Sequence, residues 1–410
     1  MPVDNNNSLK NNNYNMRKTP TLTAFLLVVL LFIGCRKDGE VKSSLRGELI
    51  ECTSNGSLSK QEIISRITEF DGNETVQYGV SLHAIVYCTE YLGKSINTSG
   101  LLILPDNVDT VRLIMYCHGT EVPSKLFGVE KITPSLYKGD TETHREVRNM
   151  GLGLASAGYA VFIPDYIGFG QTLGKDHPYL YYPEMFKSNF DGLLAVKSFI
   201  SQKGLFYDNR LFLAGWSQGA GAALSAHKYI QEGYAAQFTV VATSGLAGPY
   251  NFERTAVETL KKKDEDVVIL PIISWGIYSL NKFSSIQRPT DQLYCFDVFD
   301  QMSSLVLPSD KPSGVFHGVF LSKLLDGTDT EFLQELRNNS FHQGWIPTGK
   351  VFLHHGDSDR VVPYYNSEDA FVGLSAAYRN ITLYTYPNGD HDTDLGNFIF
   401  KTIHDFNLIP

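Results

Sequence analysis

Gly215-Trp216-Ser217-Gln218-Gly219 is the stretch whose reading decides the fold. The apolar segment Arg210-Leu211-Phe212-Leu213-Ala214 precedes it and reads as a buried strand, and Ala220 to Ile230, rich in Ala and Gly, reads as a helix. Strand, Gly-x-Ser-x-Gly, helix is the context of a nucleophile elbow, a turn tight enough to push the serine side chain out of the sheet. Glycines at 215 and 219 remove side chains that would collide there. The pentapeptide alone also fits a bland glycine-rich turn, so its reading rests on what precedes and follows it.

Working outward, the chain alternates. Val111 to Cys117, Tyr159 to Pro164, Leu211 to Ala214 and Thr239 to Thr243 read as strands. His144 to Ala157, Phe190 to Ser201 and Ala220 to Ile230 read as helices between or after them. Such alternation predicts a mostly parallel central sheet with helices on both faces. Ahead of it, residues 45–105 read as a run of strands, with Ser81 to Thr89 and Ile96 to Pro105 joined as a hairpin near Tyr91-Leu92-Gly93-Lys94. The rhythm stops near 250 and resumes near 350. The interval lacks clear strands, and 250–348 is expected to be an inserted α-helical cap, with 45–249 and 349–410 as the core. Within the cap, Lys261 to Asp266 reads as a solvated helix face. Val267 to Leu280, interrupted by Pro271, reads as buried helix whose alternative role is the apolar wall of a pocket. Val351 to His354 and Ile381 to Tyr386 complete the sheet, and Asp394 to Phe406 is a closing amphipathic helix.

The 410 residues, 43% hydrophobic and 19% charged, are those of a globular protein. A net charge of −9, with no basic run interleaved with aromatics, argues against a nucleic-acid partner. Cys35, Cys52, Cys88, Cys117 and Cys295 include no CxxC pair, and a Cys52–Cys88 disulfide is open in an oxidising compartment. Residues 1–35 read as a leader. An Asn-rich start, with Met16 as a second candidate initiator, gives way to Arg17-Lys18 and then to an apolar run from Thr21 to Ile33, of signal-peptide length. Phe32-Ile33-Gly34-Cys35 resembles a bacterial lipobox, which implies lipidation at Cys35 and a membrane anchor. Residues 36–44 would be the tether, and the location a cell envelope, as for an outer-membrane lipoprotein. An ordinary signal peptide or an anchor helix is the alternative.

A serine hydroxyl is a poor nucleophile until a base takes its proton, and the base needs an orienting carboxylate. Val351-Phe352-Leu353-His354 leads into His355-Gly356-Asp357-Ser358-Asp359-Arg360-Val361-Val362-Pro363. Two acids compete there. Asp359 fits a Gly-x-x-Asp-x-x-Val-Pro pattern, and Asp357 reads as a turn residue. His391, in the polar loop after the last strand, is the expected base, while His354, His355 and His404 are read as structural. The oxyanion needs preorganised donors. One is the Gln218 N–H. The other comes from Cys117-His118-Gly119-Thr120, as the Thr120 N–H or, alternatively, that of Gly119. No metal-ligand constellation stands out, and His177 is isolated in sequence.

These motifs together resemble the α/β-hydrolase superfamily and, within it, the secretory-lipase-like esterases. The resemblance runs through the hairpin Tyr87 to Pro105, Cys117 to Thr120, Pro164-Asp165-Tyr166-Ile167-Gly168-Phe169-Gly170, His177-Pro178-Tyr179-Leu180, Gly215 to Gly219, and Gly356 to Pro363. It implies hydrolysis of carboxylic esters, small or lipidic, through an acyl-enzyme intermediate, with Ser217 as nucleophile, His391 as base and Asp359 as orienting acid, and with no cofactor. A peptidase of the same fold and an inactive envelope binding protein are the rival readings. Oligomeric state is not legible. A histidine base would make activity fall as pH drops through the ordinary imidazole range, near about 6.5.

Overall fold

The computed structural model describes residues 45–123, 133–375 and 380–410. The leader 1–35, Cys35 and the tether 36–44 lie outside the described residues. Strands β1 Leu49–Leu58, β2 Val80–Tyr91, β3 Lys94–Pro105, β4 Arg112–Cys117, β5 Tyr159–Pro164, β6 Arg210–Trp216, β7 Thr239–Leu246, β8 Lys350–Gly356 and β9 Ile381–Tyr386 form one sheet. Their order is β1-β2-β3-β5-β4-β6-β7-β8-β9. The first three run antiparallel to their neighbours, and β5, β4, β6, β7, β8 and β9 are mutually parallel.

In chain order the helices are α1 Lys60–Arg66, α2 Gly72–Thr75, α3 Leu152–Ser156, α4 Tyr182–Gln202, α5 Gln218–Gly233, α6 Phe252–Lys261 and α7 Leu270–Phe283. They continue as α8 Gln301–Leu305, α9 Pro312–Val315, α10 Gly318–Leu325, α11 Thr330–Asn338, α12 Tyr365–Ser375 and α13 Leu395–Asn407. A π-helical stretch, Val147–Gly151, leads into α3.

The central strands are buried on both faces, which is why they read as unbroken apolar runs. On β6, Leu211 and Leu213 join the cluster containing α4 and α5, while Phe212 and Ala214 point to the cluster containing α3 and α13. On β4, Leu113, Met115 and Cys117 alternate with Ile114 and Tyr116 in the same way. Helices α6 to α11 lie between β7 and β8, and their apolar side chains (Phe252, Ile273, Trp275, Phe332 among them) belong to the same cluster as α4 and α5.

Several local expectations are corrected. The run 45–105 contains α1 and α2 as well as strands; Ser59 caps α1 in a reciprocal capping box with Glu62. Helix α4 starts at Tyr182, eight residues earlier than the pattern indicated, because Pro183 sits in its first turn, where no N–H is needed. Pro271 likewise opens α7 rather than interrupting it. The charge run leaves the helix after Lys261, so Lys262 to Asp266 is an exposed turn. No Cys52–Cys88 bridge forms, because strand register sets Cys52 opposite Ile85 and Cys88 opposite Asn97. The Cys88 thiol lies instead 3.2 Å from Ser95 Oγ. Among the described residues no helix is long and apolar enough to cross a membrane.

Candidate active site

The site lies at the carboxyl ends of the parallel strands, where open α/β sheets leave a crevice. Ser217 follows β6 with φ 55° and ψ −123°. A Cβ-bearing residue is held at such a positive φ at a cost of about 1–3 kcal/mol, a cost typical of functional turns. The two flanking glycines are forced by contact. A Cβ on Gly219 would collide with the Cys117 carbonyl, and one on Gly215 with the Gly219 backbone. The strained turn ends as α5 begins, and this lifts Ser217 Oγ above the sheet.

Three loops converge there. His391 Nε2 lies 2.9 Å from Ser217 Oγ. His391 Nδ1 lies 2.8 Å from Asp359 Oδ2. The carboxylate accepts at Oδ2, so Nδ1 carries the proton and Nε2 presents its lone pair to the serine hydroxyl. Asp359 Oδ1 accepts the N–H groups of Val361 and Val362 at 2.8 and 2.9 Å, which fixes the carboxylate plane. Burial alone would raise the Asp359 carboxyl; hydrogen bonds from His355 and His391, with their charge, outweigh it and hold the group well below the ordinary carboxylate range. Asp357 is exposed and accepts the Asn388 N–H at 2.7 Å, a turn contact.

The loops are cross-braced. Trp216 Nε1 donates to the His391 carbonyl at 3.0 Å. Asp390 accepts the N–H groups of Arg360 and His391 at 3.1 and 2.9 Å, and the Arg360 guanidinium closes the same clamp. His355, read from sequence as structural, reaches Asp359 Oδ2 with Nε2 at 3.2 Å, while Ser367 Oγ is 2.7 Å from its Nδ1. His177 is not isolated. Its Nδ1–H donates to the Ile167 carbonyl at 2.9 Å, so its Nε2 accepts from the Gln218 side-chain amide at 2.6 Å. Burial lowers the His177 pKa to about 3, which keeps that imidazole neutral. Neither contact is read from sequence: Gln218 lies 41 residues from His177 on another segment, and His355, only four residues before Asp359, reaches it because the turn between them folds back.

Of the candidate oxyanion donors, the Gln218 N–H is the first of α5 and has no intrahelical acceptor. The Thr120 N–H has no acceptor among the described residues, and Thr120 lines the same cavity as Ser217. Gly119 is corrected: its N–H is committed to both carboxylate oxygens of Glu146, at 2.9 and 3.0 Å. The cavity, about 190 Å³, is lined by Tyr179, Leu180, Phe252, Ile272, Ile273 and Val362 beside the polar groups. Ile272 and Ile273 come from α7, so that apolar helix supplies part of the wall. Among the described residues no cluster of side chains could hold a metal ion.

The sheet order, the strand-to-helix elbow and the insertion between β7 and β8 define the α/β-hydrolase fold. The chain superposes on solved structures that share it. A candidate hydrolase from Legionella pneumophila matches with a TM-score of 0.74 and 22% identity, covering 88% of this chain and 98% of that one. The rice cell wall degrading esterase LipA from Xanthomonas oryzae matches at 0.68 and 21%, covering 89% and 96%. Candida antarctica lipase A matches at 0.56 and 16%, covering 85% and 78%. No protein-family model and no curated protein matches the chain. At these identities the likeness establishes the fold, and the chemistry has to be argued from the residues.

Proposed function

We propose that the protein is a serine hydrolase that cleaves carboxylic esters through an acyl-enzyme intermediate. The observation that carries this reading is the hydrogen-bonded chain Ser217–His391–Asp359 at the mouth of an apolar cavity. His391 Nε2 takes the Ser217 proton as Oγ attacks the carbonyl carbon. The carbonyl oxygen becomes an oxyanion between the N–H groups of Gln218 and Thr120, and Asp359 stabilises the imidazolium. His391 then protonates the leaving alcohol, and a water activated by the same imidazole releases the acid. None of these steps requires a cofactor. An apolar lining suits an acyl chain better than a charged or polar residue of a peptide, and two of the structural neighbours are described as an esterase and a lipase.

The test sets the protein beside Ser217→Ala on p-nitrophenyl esters of increasing acyl length and on aminoacyl p-nitroanilides. Ester turnover abolished by the substitution is the expected result. Anilide turnover without ester preference would reassign the site to peptides, and silence on both with no fluorophosphonate labelling would leave a binding protein. We also propose a lipid anchor at Cys35, supported by the lipobox-like segment. Cys35→Ala should move the protein from the membrane to the soluble fraction and abolish incorporation of radiolabelled palmitate; unchanged partitioning would refute the anchor.

A further inference from the structure

Glu146 is a buried carboxyl group, 7% exposed, beneath the loop that follows β4. Besides the Gly119 N–H, it accepts the Tyr116 hydroxyl at 2.7 Å. It stands at the entry to the π-helical stretch Val147–Gly151, an irregularity that helices keep mainly at functional positions. A side chain at 119 has little room, since a Cβ there would come within 3.1 Å of both Glu146 Oε1 and the Trp216 ring.

Two successive peptide planes explain what Glu146 does. In the first, His118–Gly119, the Tyr166 hydroxyl donates to the carbonyl at 3.0 Å and Glu146 accepts the N–H, so both ends are held. In the second, Gly119–Thr120, His118 Nδ1 lies 2.8 Å from the carbonyl, which points the opposite end, the Thr120 N–H, away from it. The Thr120 hydroxyl is tied to Tyr179 Oη at 2.7 Å on the cavity wall. Resting on the reading of the site above, we propose that Glu146 is a positioning residue for acyl transfer. By fixing the His118–Gly119 plane, its carboxylate aims the Thr120 N–H at the oxyanion.

Keeping a carboxylate there is unfavourable. Burial raises its pKa to about 7, and the Tyr116 and Gly119 donors and the Arg145 charge offset only part of that rise. The groups that face it hold their charge state from pH 5 to 9. Burial raises Tyr116 and Tyr166 well above the ordinary phenol value and Cys117 to about 12, and lowers His118 to about 4. Arg145 stays cationic, bridged to Glu69 and Asp392. An acid whose folded pKa is raised contributes stability below the ordinary carboxyl value of about 4.3, and that contribution is lost as pH rises through about 7. The fold therefore carries the anion at a cost over the same pH range in which the loop would use it.

The test compares the wild type with Glu146→Gln and Glu146→Ala on one p-nitrophenyl ester from pH 5 to 9, together with the rate at which a fluorophosphonate labels Ser217. Glutamine can still accept the Gly119 N–H, so it keeps the loop folded where alanine does not. It is expected to lower kcat about tenfold with KM within twofold, and alanine about a hundredfold, toward the loss of a whole oxyanion donor. Labelling should slow in step. The acid limb of the wild type should be steeper than first order in protons, and first order in Glu146→Gln. That variant should also be more stable than the wild type at pH 8 and not at pH 5. A wild type that neither turns over nor labels overturns the reading of Ser217, and this one with it. A labelled wild type with Glu146→Gln equal to it in kcat, or slower with an unchanged pH slope, overturns the role of Glu146 alone.

Discussion

The loops at the carboxyl ends of β4, β6, β8 and β9 and the helices between β7 and β8 border one cavity, yet they are built differently. The strand-end loops are polar, short and over-determined. Ser217 is held at a positive φ, Asp359 accepts four hydrogen bonds from fixed donors, and Trp216 and Asp390 tie one loop to the next. The helices contribute Phe252, Ile272 and Ile273, apolar side chains with no partner geometry to satisfy, and they are stitched together by ion pairs such as the partly buried Arg288–Asp329. The contrast teaches a division of labour: the hydrogen-bonded chain of side chains belongs to the strand ends, while the helices between β7 and β8 add apolar wall to a pocket that Tyr179, Leu180 and Val362 also line.

That division can be broken by experiment, beginning where the effect is largest. Ser217→Ala or His391→Ala should reduce ester turnover by about 10⁴-fold or more while Tm moves by only a few degrees. A loss of that size from any residue of α6 to α11 would break the contrast. Asp359→Asn comes next, at about 10³-fold in kcat, because the amide can present an N–H to His391 Nδ1 and favour the wrong tautomer. His355→Phe removes one of the donors to Asp359 and leaves the Val362 carbonyl unpaired. It should lower kcat about tenfold, with a loss of about 1–3 kcal/mol in denaturant unfolding.

Among the helices between β7 and β8 the effects are smaller and of another kind. Ile273→Phe fills part of the cavity. It should leave acetate ester turnover within about twofold and lower octanoate turnover by about tenfold, a shift in the chain-length profile and not a loss of chemistry. Equal loss on both esters would mean that α7 touches the reacting centre. Asp329→Asn weakens a bidentate pair, at 2.5 and 2.7 Å to Arg288, and should cost about 2 kcal/mol of stability with kcat/KM unchanged.

Sequence reached the strand-end loops further than their number of residues would suggest. Three constraints fall within five residues at 215–219, and the two partners follow strands in a fixed order, so Ser217, Asp359 and His391 could be named before any geometry was known. Glu146 could not. It sits between Arg145 and Val147 in an ordinary helical pattern, and its partner is 27 residues away on another loop. The same holds for His177, whose contact with Gln218 spans 41 residues. The choice between Thr120 and Gly119 as donor was open for the same reason, since only the packing of residue 146 shows which N–H is already taken. The first eight residues of α4 are not legible as helix in sequence, because prolines and tyrosines look like loop until their place in a first turn is known.

What the sequence by itself determined here are properties that the backbone enforces locally. The alternation of strand and helix follows from side-chain periodicity, and the elbow from the space that two glycines leave. What only the tertiary structure decided are the pairings of buried polar groups across distant segments, Glu146 under Gly119 and His177 on Gln218, and the place of α7 as part of the cavity wall. The physical reason is that a buried polar group must find a partner wherever packing places one, and packing is settled by the docking of whole layers, which no short window of sequence contains.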